Sequence, residues 1–267
     1  MVTTFAEAPR QAVKTAPSKP VLTVAPPKEE KKVAVITGAS RGIGRATAMA
    51  LADAGYNVAV CARGASVLEM PKLTRERVIA AQVDVRDYRA LREFLNSVEL
   101  AWGRIDVLVN NAGFVHEKKP VSIIKHTDFD PCFETNSIAP LTAIQYVLGT
   151  MIARGSGVII NVASKAARYA SPGFAAYNMS KAALVSLTQT VAKEARGTGV
   201  RVYSVSPAGV NTEMRQKAHG DAEMQMSRDV VAQVIVDLTT PNAPESGSDI
   251  VVSKKGVEVH PMEEWYE

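Results

Sequence analysis

The chain has 267 residues, 46% of them apolar and 22% charged, with a formal net charge of +4. That length and apolar share suffice for one large α/β domain with a sizeable core. Residues 1–32 hold six Lys/Arg against three Glu, a net of +3, leaving only +1 for everything that follows. The body therefore lacks the basic field that a nucleic-acid surface needs, and no nucleic-acid partner is expected.

Two cysteines, Cys61 and Cys132, do not make the dense framework of a stapled secreted domain. The four His are scattered, with no His-Glu-x-x-His and no Cys-x-x-Cys, so no metal site is expected. No stretch approaches the ~18 apolar residues of a membrane helix. Residues 1–30 are rich in Ala, Pro, Lys and Thr, broken by Pro9, Pro17, Pro20, Pro26 and Pro27, with no lasting period. They read as a flexible tail ahead of a single domain at 31–267. The basic, hydroxyl-containing composition also suits an organelle transit peptide, against which Glu7 and the prolines weigh. A cytoplasmic location is expected.

From Lys32 onward strand and helix signals alternate. Val33–Thr37 is an apolar β-branched run, followed by a Gly-rich turn and a helix over Ile43–Ala54 that Gly55 ends. Strands follow at Asn57–Cys61 and Arg77–Val85, then a helix at Tyr88–Trp102 and a strand at Ile105–Val109. A long helix is predicted over Asp130–Ala153, a strand at Val158–Val162, a helix at Phe174–Ala195 and a strand at Val200–Val205. A helix at Asp229–Leu238 and a strand at Asp249–Val252 complete the series. The alternation predicts a single doubly wound, Rossmann-type parallel sheet with helices on both faces.

Thr37-Gly38-Ala39-Ser40-Arg41-Gly42-Ile43-Gly44 lies between the first strand and the first helix. Glycines at 38, 42 and 44 allow a tight turn, close approach of a pyrophosphate and packing of the helix on the sheet. The helix N-terminus offers N–H groups and a positive dipole end to phosphates. Cofactor choice is read at the end of the second strand, where an acidic residue would hold the ribose 2′-hydroxyl of NAD. Here the chain has Cys61-Ala62-Arg63. Arg63, with Arg41, suits a 2′-phosphate, so NADP(H) is expected over NAD(H).

Tyr177 and Lys181 are four positions apart in a run of helical period with Leu184, Val185 and Thr188. That spacing puts phenol and ammonium on one helix face. A fixed cation stabilises phenolate, so Lys181 is expected to lower the Tyr177 pKa and make it a proton-transfer group for a hydroxyl or carbonyl. Ser164 ends a predicted strand at the carboxyl edge where ligands bind, which favours it over the nearby Ser171.

Taken together these motifs resemble the short-chain dehydrogenase/reductase family, from about Lys32 to Pro261. Thr37–Gly44 matches its glycine pattern. Asp84-Val85 looks like its adenine-contacting pair, and Asn110-Asn111-Ala112-Gly113 like its sheet-stabilising motif below the cofactor. Asn136, Ser164, Tyr177 and Lys181 fall in the order and spacing of its catalytic four. Pro207 to Thr212, with Gly209 and Val210, resembles the segment that touches the nicotinamide carboxamide. The resemblance implies that Lys181 also binds the nicotinamide ribose and that Asn136 holds a water linking Lys181 to solvent. Pro140 removes an intrahelical bond at the Asn136 carbonyl, which frees that carbonyl for the water. It further implies a homodimer or homotetramer paired through the two long helices.

The chain departs from the family at Ala208, where a Gly often follows the Pro. It departs again at Val252-Ser253-Lys254-Lys255-Gly256, which replaces the usual Val-Asp-Gly-Gly and puts one subunit interface in doubt. The segment after Thr212 is short.

The expected function is NADPH-dependent reduction of a ketone or aldehyde, a small-molecule substrate. A 3-oxoacyl-thioester (acyl-carrier-protein) reductase is the alternative within enzymes, with Arg215, Lys217 and Arg228 as candidates for a carrier-facing basic patch. A non-catalytic NADP(H)-sensing regulator is the alternative outside them, though a sensor has no need of Tyr177 and Lys181. His116 reads as a solvated loop residue or a pocket wall. Met214, Met224 and Met226 read as an adaptable lid or as core filler. Trp265 and Tyr266 read as a pocket closure or an interface.

Overall fold

The computed structural model describes residues 31–69, 77–210, 212–214 and 226–262. Eight strands form one sheet in the order β3-β2-β1-β4-β5-β6-β7-β8. They are β1 (Val33–Thr37), β2 (Asn57–Ala62), β3 (Val78–Gln82), β4 (Val107–Asn110), β5 (Gly157–Val162), β6 (Val200–Pro207), β7 (Asp249–Ser253) and β8 (Gly256–His260). The pairings from β3 through β7 are all parallel. β1, β2, β4 and β5 are buried along their whole length, which is why they read as continuous apolar runs rather than alternating ones.

Helices cover both faces. One core gathers Ile36, Val58, Val109, Ile160 and Val205 under α1 (Gly42–Asp53) and α6 (Arg228–Asp237). The other gathers Val35, Leu108, Ile159 and Val202 under α2 (Tyr88–Trp102), α4 (Ala139–Arg154) and α5 (Ala175–Glu194). The short α3 (His126–Phe133) packs on α5. The chain crosses over between β1 and β4, so the strand order reverses there and leaves a crevice at the carboxyl edge. No described helix is long and apolar enough to cross a membrane.

Three expectations are corrected. The third strand is Val78–Gln82 rather than Arg77–Val85. Arg77 turns its guanidinium to the Ala52 and Tyr56 carbonyls, and Asp84 already accepts the turn bond from the Asp87 amide. The single helix predicted over Asp130–Ala153 is interrupted by a π-turn at Glu134–Ile138. Pro140, which has no N–H to give, follows that turn at the start of α4. The sheet is not wholly parallel, because β8 returns antiparallel to β7 through Lys254 and Lys255. This strand was not expected from the sequence, although Val257 and Val259 after Gly256 carry a period-two alternation. The tail at residues 1–30, Trp265 and Tyr266 lie outside the described residues.

At the opposite, amino edge, Asp106 anchors the sheet. It accepts the Val33 amide at 2.8 Å and two forked bonds from Arg104, the shorter at 2.6 Å, and it is 7% exposed. Asp106→Ala strands the Arg104 fork and is expected to cost about 3 kcal/mol of stability. Urea unfolding should show the loss, with dinucleotide affinity unchanged because the site lies at the other edge.

Candidate active site

The turns at the carboxyl ends of β1, β2, β4, β5 and β6 line one cleft of about 970 Å³. Its floor is the junction of β1 with β4. The Thr37 hydroxyl accepts the Asn111 and Ala112 amides at 3.1 Å, and Asn111 Nδ2 donates to the Thr37 and Gly38 carbonyls at 2.9 and 3.1 Å. Gly38 has φ of +68°, and a Cβ there would meet the Ala112 Cα at 2.7 Å. At Gly44 a Cβ would lie 2.3 Å from Asn111 Nδ2, so its bareness serves helix–sheet packing. α1 starts at Gly42 with no side-chain cap and no acidic residue in its first turn. Arg41 at its cap supplies no side-chain acceptor, and its first turn holds no carboxylate to offset the positive dipole end.

Of the expected cofactor residues, Gly38, Ser40, Arg41, Gly42, Ile43, Arg63, Asp84, Val85, Ala112, Gly113, Tyr177, Lys181, Pro207, Gly209, Val210 and Thr212 all line the cleft. Gly44 and Asn110 do not. Gly44 stands behind the turn, and Asn110 points into the sheet, donating to Asn161 at 2.9 Å, which in turn donates to Thr188. Arg41 reaches across the cleft to pair with Glu213. Asp84 is gripped by Arg86 at 2.7 Å, and that bond holds its carboxyl below the usual range.

The other wall brings Ser164, Tyr177 and Lys181 together. The Ser164 hydroxyl caps the short turn after β5, accepting the Ala166 amide at 3.1 Å, and lines the cleft beside Tyr177. Lys181 is 4% exposed and donates to the Val162 carbonyl at 2.7 Å. Burial lowers its pKa from 10.5 to about 8.

The expectation that Lys181 acidifies Tyr177 is reversed by the balance at the phenol. Burial raises the Tyr177 pKa, the neighbouring Ser164 hydroxyl opposes it, and the nearby Cys132 adds to the rise. Desolvation penalises phenolate, and the ammonium is directed at a carbonyl instead.

Asn136 is fully buried and sits in the π-turn behind these groups. Its Oδ1 accepts the Phe114 amide at 2.8 Å, and its Nδ2 donates to the Phe114 carbonyl at 2.8 Å and to Ser180 at 2.9 Å. The side chain is thus committed to pinning the loop after β4 against α5.

These motifs find their counterparts in known proteins. Residues 32–223 match the short chain dehydrogenase family. The chain belongs to that family, and it is an oxidoreductase. A family relative, the 3-oxoacyl-[acyl-carrier-protein] reductase FabG of Staphylococcus epidermidis, is 36% identical over 200 residues, covering 73% of this chain and 82% of that protein. FabG of Thermotoga maritima is 35% identical over 227 residues, covering 79% of this chain and 91% of that protein. Among solved structures, a 3-ketoacyl-(acyl-carrier-protein) reductase from Brucella melitensis complexed with NADH superposes with a TM-score of 0.78 at 25% identity, covering 84% of this chain and 98% of that one. ElxO with NADP bound superposes at 0.77 with 26% identity, covering 83% and 96%.

Several wall residues escaped the sequence reading. Arg45, Ser66, Val115, Lys165 and Tyr169 also line the cleft. Lys165 lies over the Tyr169 ring at 4.9 Å. No motif singles these positions out, because turns from separate strands bring them together. His116 is neither solvated nor a wall. It is 4% exposed, donates from Nδ1 to the Glu117 carbonyl at 2.6 Å, and packs behind Phe174 with ring centroids 5.9 Å apart. Met214 lines the cleft, Met226 is core, and Met224, Arg215 and Lys217 lie outside the described residues.

The lowered pKa of Lys181 has a defined sign. Its cation is present below pH about 8 and lost above it, whereas an ordinary lysine keeps its proton to 10.5. Carbon-13 NMR of labelled lysines should show one ε-carbon titrating near pH 8, and that resonance should be missing in Lys181→Met.

Proposed function

We propose that the protein reduces a ketone or aldehyde carbonyl with NADPH, using Tyr177 as proton donor. The observation that carries this reading is the convergence of Ser164, Tyr177 and Lys181 on one cleft, which also holds the start of α1, where no side chain caps the helix. The bare turn at Gly38 and Gly42 and a helix start without a side-chain cap suit a pyrophosphate, so the residues present fit a dinucleotide. When bound, its reduced nicotinamide supplies a hydride to the carbonyl carbon.

The chain's own groups do the rest. Burial keeps the Tyr177 phenol protonated at neutral pH, and it gives that proton to the carbonyl oxygen as negative charge grows there. The Ser164 hydroxyl donates to the same oxygen, in a bond that strengthens with the charge. Lys181 would stabilise the phenolate left behind and hold the ribose hydroxyls. Protonated below pH about 8, it supplies a cation that burial makes strong. The Asn136 carbonyl, released by Pro140, would seat the water that returns a proton toward Lys181.

Preference for NADPH rests on charge. β2 ends without a carboxylate, and Arg63 stands at the rim with Arg45 nearby. Arg41 would have to leave Glu213 to join them. A 3-oxoacyl thioester is the second substrate reading, favoured by the FabG relatives. A homodimer or homotetramer belongs to the same proposal, and the exposed Ile152 of α4 and Met179 of α5 support it.

Tyr177→Phe should lower kcat for ketone reduction about 100-fold or more while NADPH affinity stays within about twofold. An assay of NADPH absorbance over ketones, quinones and acetoacetyl thioesters reads this, and unchanged turnover would remove Tyr177 from the chemistry. Fluorescence titration should give a Kd for NADPH about tenfold or more below that for NADH. Arg63→Asp should reverse the order, and equal or tighter NADH binding by the unmodified protein would refute the assignment.

A further inference from the structure

Asp249, the first residue of β7, is fully enclosed, at 0% exposed. Three side chains converge on its carboxylate. The Ser204 and Ser206 hydroxyls donate to Oδ1 at 2.6 and 2.7 Å, and Arg168 Nε donates to Oδ2 at 2.7 Å. The Arg168 side chain is itself only 17% exposed. Ser204 and Ser206 lie two apart on β6, hence on one face, and Asp249 is the register partner of Ser204. Lower on the same face β6 presents Val200 and Val202 to the core. The sheet thus changes from apolar to charged toward its carboxyl edge. A buried ion pair is a poor source of stability, because desolvating both charges offsets their attraction. The cluster calls for another explanation.

Arg168 supplies one. It stands four residues beyond Ser164, in the turn that carries the hydroxyl. That turn is a short 3-10 segment over Lys165–Ala167. The Ala167 amide returns to the Ser164 carbonyl at 2.9 Å, and the Arg168 amide to the Lys165 carbonyl at 3.1 Å. A single 3-10 turn has weak bonds of its own to resist displacement. Lys165, Ala166 and Tyr169 from this segment also line the cleft.

We propose that Arg168 is a positioning residue whose ion pair with Asp249 moors the Ser164–Tyr169 turn to the β6–β7 pair, fixing the Ser164 hydroxyl against Tyr177. The assignment rests on the carbonyl-reduction reading for the role of Ser164. Misplacing a polarising group by about 1 Å costs about 100-fold in rate, so a mooring of this kind acts on kcat without touching substrate.

The test compares Arg168→Met with the double variant Arg168→Met/Asp249→Asn. The single variant leaves a bare carboxylate in the core and should lose stability as well as rate. The double variant removes that charge, while the amide oxygen that replaces the carboxylate still accepts from the two serines. Its unfolding midpoint should therefore return toward the parent value. The mooring stays cut, so kcat should remain about tenfold to 100-fold low. NADPH Kd should stay within about twofold, and amide exchange should quicken about tenfold, confined to residues 164–169. Arg168→Lys, which keeps the charge but not the Nε–H donor at this position, should recover part of kcat.

Recovery of kcat together with the midpoint would overturn the proposal. So would exchange that is unchanged in 164–169 or that quickens evenly over the whole chain, for Arg168 would then merely neutralise Asp249. Should the parent protein reduce no carbonyl in the panel, the functional reading falls instead, and the exchange comparison still decides whether the mooring exists.

Discussion

The structure depends on one junction, where Thr37 at the end of β1 meets Asn111 after β4. Two amides converge on the Thr37 hydroxyl, and the Asn111 amide group spans the Thr37 and Gly38 carbonyls. This is the point at which the strand order reverses, so two neighbouring strands send their chains apart and leave polar backbone exposed at a crevice. Without the cross-link those groups would open to solvent and the turn at Gly38 would lose its shape. With it, the Gly-rich turn, the start of α1 and the wall beyond Gly113 are held in one frame. The glycines at 38 and 44 are then consequences of the junction, since a Cβ at either would strike Ala112 or Asn111.

A second constraint sets the chemistry. Tyr177 and Lys181 share a helix face, but burial acts on them in opposite senses, pushing the phenol up and the ammonium down. Both shifts favour the neutral form, as desolvation requires. A phenol kept neutral has a proton to give, but burial makes it a weaker acid, so negative charge growing on an acceptor must draw that proton off; a lysine with its midpoint at about 8 can pass a proton on with little cost. The pair is therefore suited to passing protons in sequence, with any phenolate only transient beside the ammonium. Asn136 keeps this arrangement tight from behind, tying Phe114 to Ser180, the neighbour of Lys181.

The elements that were legible in the sequence are those whose signal is local. The apolar runs of β1, β2 and β5 announce burial on both faces, and Gly38-x-x-x-Gly42-x-Gly44 between strand and helix announces the phosphate turn. Tyr177 and Lys181 are visible because helical spacing alone puts them side by side. What stayed hidden depends on tertiary balance. The direction of the Tyr177 shift needs the depth of burial and the aim of the Lys181 ammonium at Val162, neither of which spacing encodes. Asn110 was drawn to the cleft by its motif, yet the pleat alternates faces and turns it onto Asn161. The break in the long helix was half visible, because Pro140 was seen to free a carbonyl. The π-turn ahead of it adds a residue to the helix without any composition signal of its own.

The charged pair at the carboxyl edge shows why such a fold gathers polar groups at one end. Parallel strands buried on both faces leave no place for charge along their middles, so Asp106 and Asp249 sit where strands begin, and the reactive groups sit where strands end. Asp106 holds its arginine at the amino edge and braces the sheet. Asp249 also begins its strand, but β7 is set so that this start lies beside Ser204 and Ser206, well up β6. The stagger lets a carboxylate at one strand's start reach an arginine from a turn at another strand's end. Register, rather than any single residue, is what brings a buried charge within reach of the Ser164 turn. A slip of one residue in the β6–β7 pairing would turn the Asp249 side chain to the opposite face and take it away from Arg168.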